Sequence, residues 1–146
     1  MTVDVVTGII IRRPREEVSA YAGNPNNAPQ WYVNIKSMEW KSVPPLRVGS
    51  KLAFVARFLG RQLAYTYEIV ELVPGKRLVM RTSEGPFTME TSYTWETVSD
   101  GSTRMTLRNR GNPTGFSRLV APFMARAMRK ANQKDLARLK TILEQG

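Results

Sequence analysis

The sequence predicts an α+β fold: an antiparallel sheet of about seven strands with one long C-terminal helix laid across its apolar face. Three observations carry that prediction. Six segments between residues 35 and 111 alternate apolar and polar side chains and are separated by short turns. A later stretch, 114–144, spaces its apolar residues by three and four instead. Ahead of both stand one β-branched segment and two short helix signatures. Strands joined by short turns pair antiparallel, and each then has one apolar face that another element must cover.

The first element, "VDVVTGIII" (3–11), is β-branched and reads as a strand. A helix should follow from Pro14 to about Gly23, because proline suits the first helical position and Glu16 and Glu17 then meet the positive end of the helix dipole. Val18 and Tyr21 share one face of it. Asn24 before Pro25 repeats the start signal, and only about two turns fit before Pro29 and Trp31.

The period then changes to two. Strands are expected at 35–43, with Met38 and Trp40 on one side, and at 51–58, with Leu52, Phe54, Ala56 and Phe58 together. The next, 61–72, groups Leu63, Tyr65, Tyr67 and Ile69; after the turn 74–76, 77–82 sets Leu78 and Met80 against Arg77, Val79 and Arg81. In 87–96, Phe87, Met89, Tyr93 and Trp95 share one parity. Asp100-Gly101 centres a hairpin turn, and 103–111 sets Met105 and Leu107 against Arg104, Arg108 and Arg110.

Phe116, Val120, Phe123, Met124, Ala127 and Ala131 then recur at helical spacing, continued by Leu136, Leu139 and Leu143. Asn112 or Thr114 is the expected N-cap. Pro122 should kink the helix or mark a late start.

Composition narrows the chemistry. The chain has 146 residues with no cysteine and no histidine, so thiolate and imidazole metal sites and Ser-His or Cys-His catalysis are excluded. No metal or cofactor is expected. The N-terminus lacks a secretory pattern and no apolar run approaches the ~20 residues of a membrane span, so a soluble cytoplasmic protein is expected. Net charge is +10, of which +8 falls in residues 104–146. That cluster is either the solvated face of a helix or a surface that attracts an anionic membrane. Nucleic acid is the weaker match, because no aromatic residues interleave with the arginines for base stacking.

The order of elements resembles the START-related helix-grip superfamily (SRPBCC), in particular its polyketide cyclase/dehydrase and lipid-transport branch. "RPREEVSAYAGNPNNAPQW" (13–31), "EIVELVPGKRLVMRT" (68–82) and "YTWETVSDGSTRMTLRNRGNPTG" (93–115) carry the likeness. These motifs are structural rather than catalytic. The resemblance implies one helix-grip domain over 1–146, with a curved sheet wrapped around the C-terminal helix and a deep cavity between them. The two short helices would plug one end, with Trp31 packing inward.

Under that reading the expected ligand-binding residues are Trp31, Phe54, Phe58, Tyr65 and Tyr67, then Met80, Phe87, Met89, Tyr93, Trp95 and Met105, and from the helix Phe123, Met124 and Met128. Their partner would be a small hydrophobic or amphipathic molecule: a lipid, an acyl chain or a polyketide-like aromatic. Alternation alone leaves open whether these side chains line a pocket or fill a solid core. Catalytic residues are less defined. Glu68, Glu90 and Glu96 take the outward parity, Glu39 lies opposite Met38 and Trp40, and Glu71 points inward only if the register holds to the strand end. Arg57 keeps parity with Lys51 and Val55. No carboxylate pair is aimed at the interior. If the same pocket runs a cyclase or dehydratase reaction, Tyr65, Tyr67 and Tyr93 are the expected proton donors.

Overall fold

A computed structural model describes residues 3–85, 88–112 and 121–145, with the backbone alone at 121 and 122. Strand β1 (Val3–Ile11) buries Val3, Val5, Thr7 and Ile11 and turns Asp4 and Val6 to solvent. It leads into α1 (Arg15–Ala22), a 3₁₀ turn (Pro25–Asn27) and the single-turn α2 (Ala28–Trp31). Six strands follow: β2 (Ile35–Trp40), β3 (Lys51–Phe58), β4 (Arg61–Val73), β5 (Arg77–Glu84), β6 (Thr88–Ser99) and β7 (Ser102–Asn112). Helix α3 (Ala121–Gln145) ends the chain. At 25 residues it is about 37 Å long.

All seven strands form one antiparallel sheet in the order β1-β7-β6-β5-β4-β3-β2. From β2 onward it is the expected meander. β1 closes beside the last strand, with Val3 opposite Gly111 and Ile11 opposite Thr103. The sheet curls into a half-barrel around α3, the helix-grip arrangement.

Local chemistry explains the short elements. Pro14 caps α1, Glu16 and Glu17 occupy its first turn, and the Gly23 N–H closes it on the Ser19 carbonyl at 2.8 Å. The Asn24 side chain accepts the Asn26 N–H at 3.1 Å, so the restart at Pro25 is an Asn-capped 3₁₀ turn. It delivers Trp31 to full burial. β2 stops at Trp40, short of the expected residue 43. Asn112, one of the two expected N-caps of α3, is instead the last residue of β7. Thr114, Phe116 and Val120 lie outside the described residues. Pro122 stands second in the described span of α3.

A register shift between Ile69 and Glu71 resets the parity of β4. Leu72 then packs on the core, while Glu71 points out and pairs with Arg77 at 3.2 Å. The other outward charges cross-link the sheet. Arg108 binds Asp4 at 2.6 Å, Arg104 binds Glu96 at 3.3 Å, and Glu90 accepts from both Arg81 at 2.7 Å and Arg110 at 3.0 Å. At the far end of α3, Lys140 reaches the Ile10 carbonyl at 2.8 Å and Glu144 accepts the Arg12 backbone N–H at 2.8 Å. These bonds tie the helix terminus to the end of β1.

The interior divides into two apolar clusters. One, at the α1/α2 end, joins Trp31, Leu52, Ile69, Leu78, Trp95 and Met105 to Leu136, Leu139 and Leu143 of α3. The other joins Val3, Val5 and Met89 to Met124 and Met128, with Phe58 and Tyr65 against it.

Candidate ligand-binding site

The space between those clusters is set by α3. Its inward stripe runs Met124, Met128, Ala131, Asp135, Leu139, in steps of four, three, four and four. Leucines fill one end and methionines the other. In the middle, Ala131, Asn132 and Asp135 are too short to reach the sheet, and a partly open cavity of about 150 Å³ remains. An apolar void of that order accepts a molecule of about one aromatic ring.

Opposite the helix the wall is built by alternate residues of four strands: Phe54 of β3, Tyr65 and Tyr67 of β4, Met80 of β5, and Met89, Thr91 and Tyr93 of β6. Asn109 of β7 joins them, and Tyr32, Asn34 and Ile35 close one side. Phe58 and the exposed Arg57 stand at the rim.

The polar groups of this wall are ordered. The Tyr32 and Tyr93 hydroxyls are 2.5 Å apart. Thr91 Oγ1 donates to Asn109 Oδ1 at 2.8 Å and lies 3.5 Å from the Tyr67 hydroxyl. Burial pushes Tyr32, Tyr65, Tyr67 and Tyr93 above the usual phenol range, so all four stay protonated and serve as neutral donors. Asp135 Oδ1 accepts the Val33 N–H at 2.8 Å. Burial still raises its carboxyl to about 6, against the opposing pull of that bond and of Arg138. The Asn132 side-chain Nδ2 is buried with no hydrogen-bond partner.

The sequence model for polyketide cyclase / dehydrase and lipid transport proteins matches residues 2–144. The chain belongs to that family. Within it, the helix-grip domain closely overlays solved structures of low sequence identity. An aromatase/cyclase from Streptomyces superposes with a TM-score of 0.83 at 12% identity, over 99% of this chain and 94% of that one. A START superfamily protein from Mycobacterium smegmatis gives 0.83 at 14%, over 97% of each chain. A protein from Thermus thermophilus gives 0.81 at 18%, over 94% of each. At such identities the likeness is one of fold. No curated protein matches the sequence.

Among the inward residues that the family resemblance implied, Phe54, Phe58, Tyr65, Tyr67, Met80, Met89, Tyr93, Met124 and Met128 meet at the cavity. Trp31 stands behind the wall, its ring 4.1 Å from Tyr32 and 5.7 Å from Tyr93. Trp95 and Met105 belong to the packed cluster under α1 and α2 rather than to the cavity. Phe123 does not face inward. It is 64% exposed, because one residue of helix rotates it about 100° off the Met124–Met128 stripe. Phe87 lies outside the described residues.

Asp135, on α3 rather than on a strand, brings a single carboxylate to the interior and is 3% exposed. Its signal was present in the sequence as the i+4 neighbour of Ala131 and the i−4 neighbour of Leu139. Arg57 keeps its outward parity and is exposed, and it still borders the cavity at the rim, near the end of β3. Thr91 and Asn109 carried the inward parity of Met89 and Met105, but they are polar and the apolar pattern passed over them.

Proposed function

We propose that this family member binds a small hydrophobic or amphipathic molecule, such as a lipid, an acyl chain or a polyketide-like aromatic, in the cavity between the sheet and α3. The observation that carries the reading is the gap at Ala131, Asn132 and Asp135, faced by Phe54, Tyr67, Met80 and Met89. Apolar walls with a few fixed polar groups are the usual composition of small-molecule sites. Methionines on both sides supply a surface that adapts to differing apolar shapes. Family membership and the likeness to an aromatase/cyclase and a START protein support the same class of ligand. Native mass spectrometry of protein purified without detergent tests it. The expected spectrum carries a non-covalent adduct of small-molecule mass that is released by organic solvent. Bare protein, together with no thermal shift across a panel of lipids and aromatics, contradicts it.

A cyclase or dehydratase reaction in the same cavity is the second reading, supported by the Tyr32–Tyr93 pair and the Asp135 carboxyl held at about 6. It predicts that Tyr93→Phe loses turnover and keeps binding.

Contact with an anionic membrane is the third. The arginines of β7 are paired across the sheet, but among the described residues Arg126, Arg129, Lys130, Lys134 and Arg138 of α3 make no ion pair. The exposed Phe123 precedes them. No helix of the described residues is long and apolar enough to cross a membrane, so the contact would be peripheral. Binding to phosphatidylserine vesicles that weakens steeply with salt is expected. Equal retention on neutral vesicles contradicts it.

A further inference from the structure

Most of the polar side chains on the cavity wall satisfy one another. Tyr32 pairs with Tyr93, and Thr91 pairs with Asn109 next to the Tyr67 hydroxyl. Asn132 does not. It is 5% exposed, it borders the cavity, and its Nδ2 has no partner. A buried amide left unpaired is disfavoured, which leaves a standing preference for an incoming oxygen at that point. One helical turn on, Asp135 Oδ1 accepts the Val33 N–H and the carboxyl forms part of the same wall.

The surroundings select the kind of oxygen. Tyr32 and Tyr93 face Asp135 from the loop after α2 and from the sheet, Tyr67 shares the same wall, and all three are neutral. Arg138 lies on its own helix, and Arg57 is out at the rim. Among the described residues no cation is therefore seated beside Asn132 to receive an anionic head, and an ionised Asp135 repels one. The methyl of Ala131 leaves room there for a group larger than water.

Resting on the ligand-binding reading above, we infer that the ligand carries a neutral oxygen-bearing head, a ketone or hydroxyl on an apolar ring system, and that this head is seated on α3 between Asn132 and Asp135. The apolar body lies against Phe54, Met80 and Met89, and Asn132 Nδ2 donates to the head. A carboxylate head is rejected from this position and is left at the Arg57 rim.

A matched set of one-ring probes tests it by calorimetry at a pH of about 7.5, above the Asp135 value: acetophenone, α-methylstyrene and benzoate. The ketone and the hydrocarbon have nearly the same shape, so their difference reads the head group alone. The ketone is expected to bind about tenfold more tightly than the hydrocarbon, the size of one net hydrogen bond, and more tightly than the carboxylate. Asn132→Leu should abolish the difference in affinity between ketone and hydrocarbon, and Asn132→Ala should do the same if leucine disturbs the helix. Equal affinity of ketone and hydrocarbon for the wild type, or a preference for the carboxylate, overturns the inference and leaves the cavity reading standing. A ketone preference that survives both substitutions also overturns it. Binding of none of the three removes the cavity reading and the inference together.

Discussion

The hydroxyls of Tyr32 and Tyr93 lie 2.5 Å apart, joining the loop after α2 to the middle of β6 at the cavity wall. One donates to the other where water is scarce. Tyr93→Phe should strand the Tyr32 hydroxyl and destabilise the protein by roughly 1–3 kcal/mol. Apolar ligands should bind within about threefold of wild type, because the ring remains. Urea melts and hydrocarbon titrations on the same variant check both. An unchanged melt means the pair contributes nothing to the wall.

Asp135 gives the stability a pH signature. Burial raises its carboxyl from 3.8 to about 6. A group whose folded value is raised contributes fully at low pH, and the contribution fades as pH climbs through the folded value. Native protein at a pH of about 8 therefore holds an unfavourable buried charge, on the order of 2–3 kcal/mol. Asp135→Asn keeps an Oδ1 acceptor for the Val33 N–H and removes that charge. The variant should be more stable than wild type at about pH 8 and close to it at about pH 4, by thermal melts at both. The comparison is made at each pH because Glu144, held down to about 2 by Lys140 and the Arg12 N–H, weakens both proteins equally in acid. A stability difference independent of pH contradicts the assignment.

Much of this architecture was legible in the sequence. Period-two alternation in β3, β6 and β7 located those strands to within a few residues, because each has one wet and one buried face. Pro14, Gly23 and the Asn24-Pro25 pair marked the small helices through backbone chemistry that acts locally. The bulge at Ile69–Glu71 was not legible, since it depends on how β5 pairs with β4. Parity likewise could not separate lining from core. Trp95 and Tyr93 stand two apart on the same face and share one cluster, yet only Tyr93 borders the cavity beneath α3, while Trp95 lies on the α1 side, where it lines a separate pocket. That distinction belongs to α3, where three short residues interrupt a leucine and methionine stripe.

Glycine at 111 is required by close packing of strands. A Cβ there would collide with the Thr88 carbonyl oxygen and stand 3.0 Å from the Met89 Cα, both backbone atoms that cannot turn aside. Gly111→Ala should cost roughly 1–3 kcal/mol. Gly8 on the neighbouring strand is the control: its Cβ would meet the Met105 carbonyl at an ordinary 3.5 Å. Gly8→Ala should stay within about 0.5 kcal/mol of wild type. Chemical denaturation of the two variants side by side checks the pair. Equal effects contradict the packing argument.

The central claim is that the gap beside Ala131 holds an apolar guest, and filling it is the direct test. Calorimetric titration with the one-ring hydrocarbon toluene, on wild type and on Ala131→Trp with a native circular dichroism spectrum, makes the comparison. The account predicts saturable binding to wild type, weakened at least about tenfold when an indole occupies the space. Absence of saturable binding to wild type, or undiminished binding to a folded Ala131→Trp, contradicts it.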